Sequence, residues 1–88
     1  MITDRELERL HKALANRRRI AIVRYLKSGS ATVGEIAKSI KLSLKSTSRH
    51  LQVLSSAGFV IAEQHGLYMH YSLDIKSNAI CAVRSGIF

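Results

Sequence analysis

Residues 43–60 read Ser43-Leu44-Lys45-Ser46-Thr47-Ser48-Arg49-His50-Leu51-Gln52-Val53-Leu54-Ser55-Ser56-Ala57-Gly58-Phe59-Val60. Ser43 is a good N-cap and Gly58 a good left-handed stop, so the stretch predicts a helix between them. At about 100° per residue, Thr47, Leu51 and Leu54 share one face and must point to a core. Lys45, Arg49, Gln52 and Ser56 then face outward, with Ser46 and Ser48 flanking them. Arg and Lys donate to guanine edges, Gln suits adenine, and hydroxyls reach bases or phosphates. No acid occurs from Leu42 to Ala62, whereas a merely solvated face usually mixes both signs.

The neighbours of this helix set the architecture. Upstream, Thr32 and Glu35 form a capping-box pattern that opens a short helix with Ile36, Ala37 and Ile40 inward. Lys41-Leu42 is a tight connection, so the two helices read as a helix-turn-helix. Downstream, Phe59-Val60-Ile61-Ala62 favours a strand. His65-Gly66 signals a turn, and Leu67–Leu73 is a second run of strand formers. The hairpin would be a wing. Further out, Thr3 with Glu6 caps a first helix bearing Leu7, Leu10 and Leu14. Asn16 can stop that helix and cap a second, with Ile20, Ile22, Val23 and Leu26, ending near Ser28-Gly29. Asp74 can cap a last helix to about Arg84, carrying Ile75, Ala79, Ala82 and Val83. The expected fold is mainly α with a small β-hairpin, in the order α-α-α-α-β-β-α. It is a single domain over 1–88, with the helix-turn-helix at about 32–57, the wing at about 59–73 and terminal helices at about 3–15 and 74–84.

Size and charge agree with this reading. The 88 residues carry 14 Lys+Arg against 6 Asp+Glu, a net charge of +8. So basic a small body points to a polyanion, nucleic acid before an anionic membrane surface. The excess lies in residues 1–58, and residues 59–88 are neutral. The charge therefore marks the helices and not the wing. No apolar run nears the ~18 residues of a membrane span, and one cysteine excludes an intrachain disulfide framework. A reducing, cytoplasmic setting is the default. No paired carboxylates, nucleophile elbow or phosphate-cradling loop is present, so no enzyme activity and no cofactor are expected.

The segment Leu14-Ala15-Asn16-Arg17-Arg18-Arg19-Ile20 is similar to the "LADxxRLxIL" segment of the arsenic-responsive repressor (ArsR) family. Residues 43–60 resemble its recognition helix, "SQSTVSRHLKVLREAGLV". Gly66, Tyr68 and Tyr71 match its wing and return strand. The similarity covers residues 7–73. It implies a homodimeric winged-helix repressor in which two recognition helices enter successive major grooves of an inverted repeat. By position, Ser43, Lys45, Ser46, Ser48 and Arg49 fall on the family's DNA-reading residues. His50 matches too, but the wheel turns it partly inward, where a local bond competes with a phosphate contact. Lys41 and Arg18 are candidate phosphate contacts. The first and last helices would form the dimer interface through Leu7, Leu10, Ile75, Ala79, Ala82, Val83 and Phe88.

The departures from the family matter. Ala31–Ile36 lacks the paired cysteines of the metal-sensing members, and Asp74 has no histidine after it. His11, His50, His65 and His70 fall on different elements, whereas zinc needs at least three convergent ligands. A metal effector is therefore not expected. The wing is not Arg-rich, which leaves Gln64 and His65 as weak candidates there. Arg17, Arg18 and Arg19 oppose the dipole of the helix they begin, at about 0.3–1 kcal/mol each. They divide between phosphate contacts and structural roles. Cys81 reads as a buried small hydrophobe, with an intermolecular bridge as the alternative. Two other functions share these features: a sequence-tolerant nucleic-acid architectural protein, and a protein-interaction winged helix.

Overall fold

A computed structural model describes residues 3–77 and 79–81. The chain forms α1 (Asp4–Leu14), α2 (Arg17–Leu26), β1 (Ala31–Thr32), α3 (Val33–Ile40), α4 (Leu44–Ser56), β2 (Val60–His65) and β3 (Tyr68–Leu73). Residues 79–81 are the described part of the last helix. Ala82, Val83, Phe88 and the helix end expected near Arg84 lie outside the described residues. The fold is the winged helix-turn-helix that the sequence pattern implies.

Short polar residues begin the helices where expected. Thr3 Oγ1 accepts from the Glu6 amide at 3.1 Å, and Glu6 Oε1 accepts from the Thr3 amide at 3.3 Å. Thr32 and Glu35 repeat this box at 3.2 and 2.9 Å. The Thr32 amide, then its hydroxyl, holds the Glu35 carboxyl below the usual range. Asn16 Oδ1 accepts from the Arg18 and Arg19 amides at 2.9 and 3.3 Å. Ser43 Oγ accepts from the Ser46 amide at 3.1 Å. Each such cap is worth about 1 kcal/mol.

The ends of the two helix-turn-helix segments are also built from the backbone. At the end of α4, Phe59 N–H donates to Leu54 O at 2.9 Å and Gly58 N–H to Ser55 O at 3.0 Å. This is a Schellman closure, and Gly58 provides its left-handed residue at φ 87°. A Cβ there would meet Ala79 Cβ at 3.8 Å, an ordinary contact, so the positive φ and not crowding calls for glycine. Lys41 plays the corresponding part after α3 at φ 57°, where a non-glycine residue costs about 1–2 kcal/mol.

The core joins all the described helices. Ile22, Ile36, Leu51, Leu54, Phe59 and Val60 are almost wholly buried, packed with Leu10, Ala13, Leu26, Ala31, Ala79 and Ile80. Burying each large side chain contributes about 1.5–3 kcal/mol. Thr47 is also buried, and its Oγ1 has no partner among the described residues. An unsatisfied buried hydroxyl costs about 1–3 kcal/mol. Thr47→Val is therefore expected to stabilise the fold by about 1 kcal/mol, raising Tm by about 4–8 °C. Thermal unfolding followed by circular dichroism checks this, and a lower Tm would mean that the hydroxyl is satisfied.

The sheet is antiparallel, in the order β1-β3-β2. The wing closes with His65 opposite Tyr68 across the two-residue loop Gly66-Leu67. Gly66, at φ 63°, supplies the positive first position of a type II′ loop. Leu67, expected to begin the second strand, instead completes this turn.

Several expectations are corrected. The two-residue β1 was missed; its pairing of Ala31 with Tyr71 makes β3 the middle strand. Ile20 is exposed, because Ile22 and Leu26 occupy the inward side of α2. The cap of the last helix is Ser77 and not Asp74. Ser77 Oγ accepts from the Ile80 amide at 3.1 Å, and Cys81 N–H bonds Ser77 O at 3.1 Å. Leu10 and Ala79, expected at a dimer interface, are buried in the chain's own core. Leu7 is half-buried and Ile75 is 57% exposed. Cys81 is exposed, so it is not the buried hydrophobe expected.

Candidate nucleic-acid interface

The outward side of α4 carries the residues that the wheel assigned to it. Lys45, Ser48, Arg49, Gln52 and Ser56 are exposed, and Ser46 is half-buried at the first turn. Thr47, Leu51 and Leu54 pin the opposite side, which fixes the rotation of the helix about its own axis. Neither the Lys45 nor the Arg49 side chain makes an ion pair or hydrogen bond to another described residue. Both can extend toward a ligand without breaking an internal contact. Ser43 is exposed, and its hydroxyl proton remains available while its oxygen caps the helix. The first turn of α4 holds no acid, so its amides add a positive dipole end beside Lys45.

Leu44 was missed. It is 58% exposed at the first position of α4, beside Lys45. An apolar side chain there suits the methyl group of thymine. The signal was available, because the residue after an N-cap on an outward helix end has little core to enter.

Arg18 and Lys41 lie at the rim. Arg17, Arg18, Ala21 and Ile40 line one recess, which places the α2 arginines beside the end of α3, one residue before Lys41. Lys41 is exposed and Arg18 is half-buried.

Arg19 and His50 form a pair that spacing alone could not reveal. Arg19 Nε donates to His50 Nδ1 at 3.2 Å. Arg19 Nη1 donates to Lys12 O at 3.2 Å and Ala13 O at 3.4 Å. One guanidinium thus ties the end of α1, the start of α2 and the middle of α4. The contact with the negative end of α1 offsets its poor position at the start of α2. His50 is half-buried, and an accepting Nδ1 places the imidazole proton on Nε2. Burial, then the cations Arg19, Arg18 and Arg49, hold His50 below its ordinary pKa. His50 thus makes through Nδ1 the local bond that competed with a phosphate contact.

The wing offers little charge. Gln64 donates its amide to Gly66 O at 2.9 Å and so braces the turn instead of pointing away from it. His65 is exposed, 3.8 Å from Glu63, with its ring centroid 5.0 Å from that of His70. Leu67 at the tip is 91% exposed. Among the described residues, no group of three or more His, Cys, Asp or Glu side chains could hold a metal ion. No described helix is long and apolar enough to cross a membrane.

Comparison with known proteins agrees with this geometry. Residues 16–62 match the model of the bacterial regulatory protein arsR family. The chain is 39% identical over 74 residues to the HTH-type transcriptional regulator Rv2034 of Mycobacterium tuberculosis, covering 84% of this chain and 69% of the relative. It is 32% identical over 68 residues to the transcriptional repressor SdpR of Bacillus subtilis, covering 77% and 76%. Its fold is similar, at a TM-score of 0.81 and 30% identity, to a homodimeric winged helix-turn-helix DNA-binding domain from Mycobacterium bovis, covering 98% of this chain and 85% of that one. The two curated relatives are transcriptional regulators. The helix-turn-helix, its wing and these matches together place the chain in the arsR family of bacterial transcriptional regulators.

Proposed function

We propose that the protein is a homodimeric, sequence-specific DNA-binding repressor that reads an inverted repeat in duplex DNA, acting in the cytoplasm. The observation that carries this reading is the exposed stripe of Lys45, Ser48, Arg49 and Gln52 on α4, with no acid between Leu42 and Ala62. Lys45 and Arg49 contact bases in the major groove. Ser43, Ser46 and Ser48 bond phosphates or bases, and Gln52 extends the reading face. Arg18 and Lys41 hold phosphates beside the groove. Ile75 and Leu7 contribute to the two-fold interface, as do Ala82, Val83 and Phe88, which lie outside the described residues. The homodimeric neighbour supports the dimer, and the repressor among the relatives supports repression. A two-fold dimer places its recognition helices about 34–36 Å apart, one turn of the duplex. The reading includes no metal effector.

Salt dependence tests the DNA contact. Neutralising Z phosphates makes log K fall with log salt at about −0.9Z. Arg18 and Lys41 give four phosphate contacts per dimer and predict a slope of roughly −4, steepening toward about −7 where the Lys45 and Arg49 charges also neutralise phosphates. A flat dependence would exclude duplex DNA as the partner. A steep slope with equal affinity for every duplex would leave sequence-tolerant binding in its place.

A further inference from the structure

We infer that the cleft between α1 and the C-terminal half of α4 binds a small organic anion and passes its occupancy to the recognition helix. The cleft has a volume of about 230 Å³. Its floor is apolar, made by Ala13, Val53 and Ala57, and Ser56 adds a hydroxyl. Its rim is cationic, with Arg9 and Lys12 on α1 and Arg19 at the start of α2. No carboxylate lines it. Lys12 reaches Glu8 at 3.8 Å, but both side chains are exposed, so water and salt screen that pair. Arg9 makes no ion pair with another described residue. Three cations over an apolar floor are complementary to an anionic head on a short hydrocarbon body. Guanidinium forks accept carboxylate and phosphate monoester heads alike. The volume is below the range typical of drug-sized pockets, so the ligand has only a few carbons.

The route to α4 is already built. Arg19 lines the cleft while its Nε holds His50 and its Nη1 holds the last carbonyls of α1. An anion that draws on this guanidinium changes how α1 and α4 are tied. A ligand resting on Val53 and Ala57 also sets the distance between the two helices. Ser56 lies seven residues, about 10.5 Å, beyond Arg49 along α4. Val53 is four residues, about 6 Å, beyond Arg49, so the cleft adjoins the C-terminal end of the reading face. The regulatory half of this inference rests on the proposed DNA binding, and the binding half does not.

The test begins without DNA. Hexanoate, butyl phosphate, hexanol and inorganic phosphate are titrated at millimolar concentration into the whole protein. The Val53 methyl, Ala57 amide and Arg19 Nε signals are followed by NMR. Saturable shifts with hexanoate or butyl phosphate, and none with hexanol or inorganic phosphate, support the site and identify its preferred head. In the double variant Arg9→Gln, Lys12→Gln, with Tm unchanged, those shifts should weaken at least about tenfold, as loss of charge-assisted bonds requires. No saturable shift, equal shifts with hexanol, or the same shifts with inorganic phosphate would overturn the site. Displacement of hexanoate from these residues by a random duplex would overturn it in favour of a DNA-backbone contact. At fixed ionic strength, saturating ligand should change the DNA Kd by about 5–150-fold in the parent protein and not in the double variant. Ligand binding with an unchanged Kd would overturn the coupling alone. Ligand binding by a protein that binds no duplex would leave the site standing and overturn the proposed function.

Discussion

Replacing Lys45 and Arg49 together by alanine is expected to weaken binding to the preferred duplex by about 30- to 10⁴-fold, since each well-placed base contact contributes about 1–3 kcal/mol of discrimination. Binding to a scrambled duplex should weaken much less, by the loss of charge alone. The structure makes the test clean. Both side chains are exposed on α4 and hold no other described residue, so stability should stay within about 0.5 kcal/mol of the parent. Fluorescence anisotropy on the two duplexes gives the ratio directly. Equal weakening on both would mean that these residues supply charge and not sequence reading.

Replacing Arg19 by methionine is expected to lower stability by about 2 kcal/mol, or roughly 8–16 °C in Tm, since hydrogen bonds to charged groups contribute about 1.5–3 kcal/mol. Methionine keeps much of the side-chain length but removes all three bonds to His50, Lys12 O and Ala13 O. Arg19→Lys should not rescue it, because one ammonium cannot reproduce a planar fork reaching three acceptors on two helices. Acid should act on the same pair. His50 has a lowered folded pKa, from burial first and Arg19 second. Its contribution to stability is full above its ordinary value of 6.5 and is lost as pH falls through the folded value. A proton on Nδ1 also removes the acceptor that Arg19 uses. Acid destabilisation should therefore be shallower in Arg19→Met, measured as Tm against pH. An unchanged profile would separate His50 from Arg19.

Much of this was legible in local sequence, because its causes are local. The Thr3–Glu6 and Thr32–Glu35 boxes, the Asn16 and Ser43 caps and the Gly58 stop each need only a few neighbouring residues. The wheel of α4 was legible because Thr47, Leu51 and Leu54 leave it one way to turn. What escaped depends on partners far along the chain. A strand as short as β1 exists only because β3 offers it an edge. Arg19 and His50 are 31 positions apart, and nothing near either names the other. Leu10 and Ala79 look alike as core or as interface until the fold shows that one chain already buries them. Asp74 is as good a cap by type as Ser77, but its amide is bonded to Phe59 O at 3.0 Å, and the chain turns into the helix only later.

The most direct test of the central claim is selection of bound DNA from a random duplex library at physiological salt, with the whole protein. The account predicts an enriched inverted repeat whose half-sites are centred about one helical turn apart, bound at least about 10³-fold better than the unselected pool. Recovery of unenriched sequence at similar affinity would contradict it.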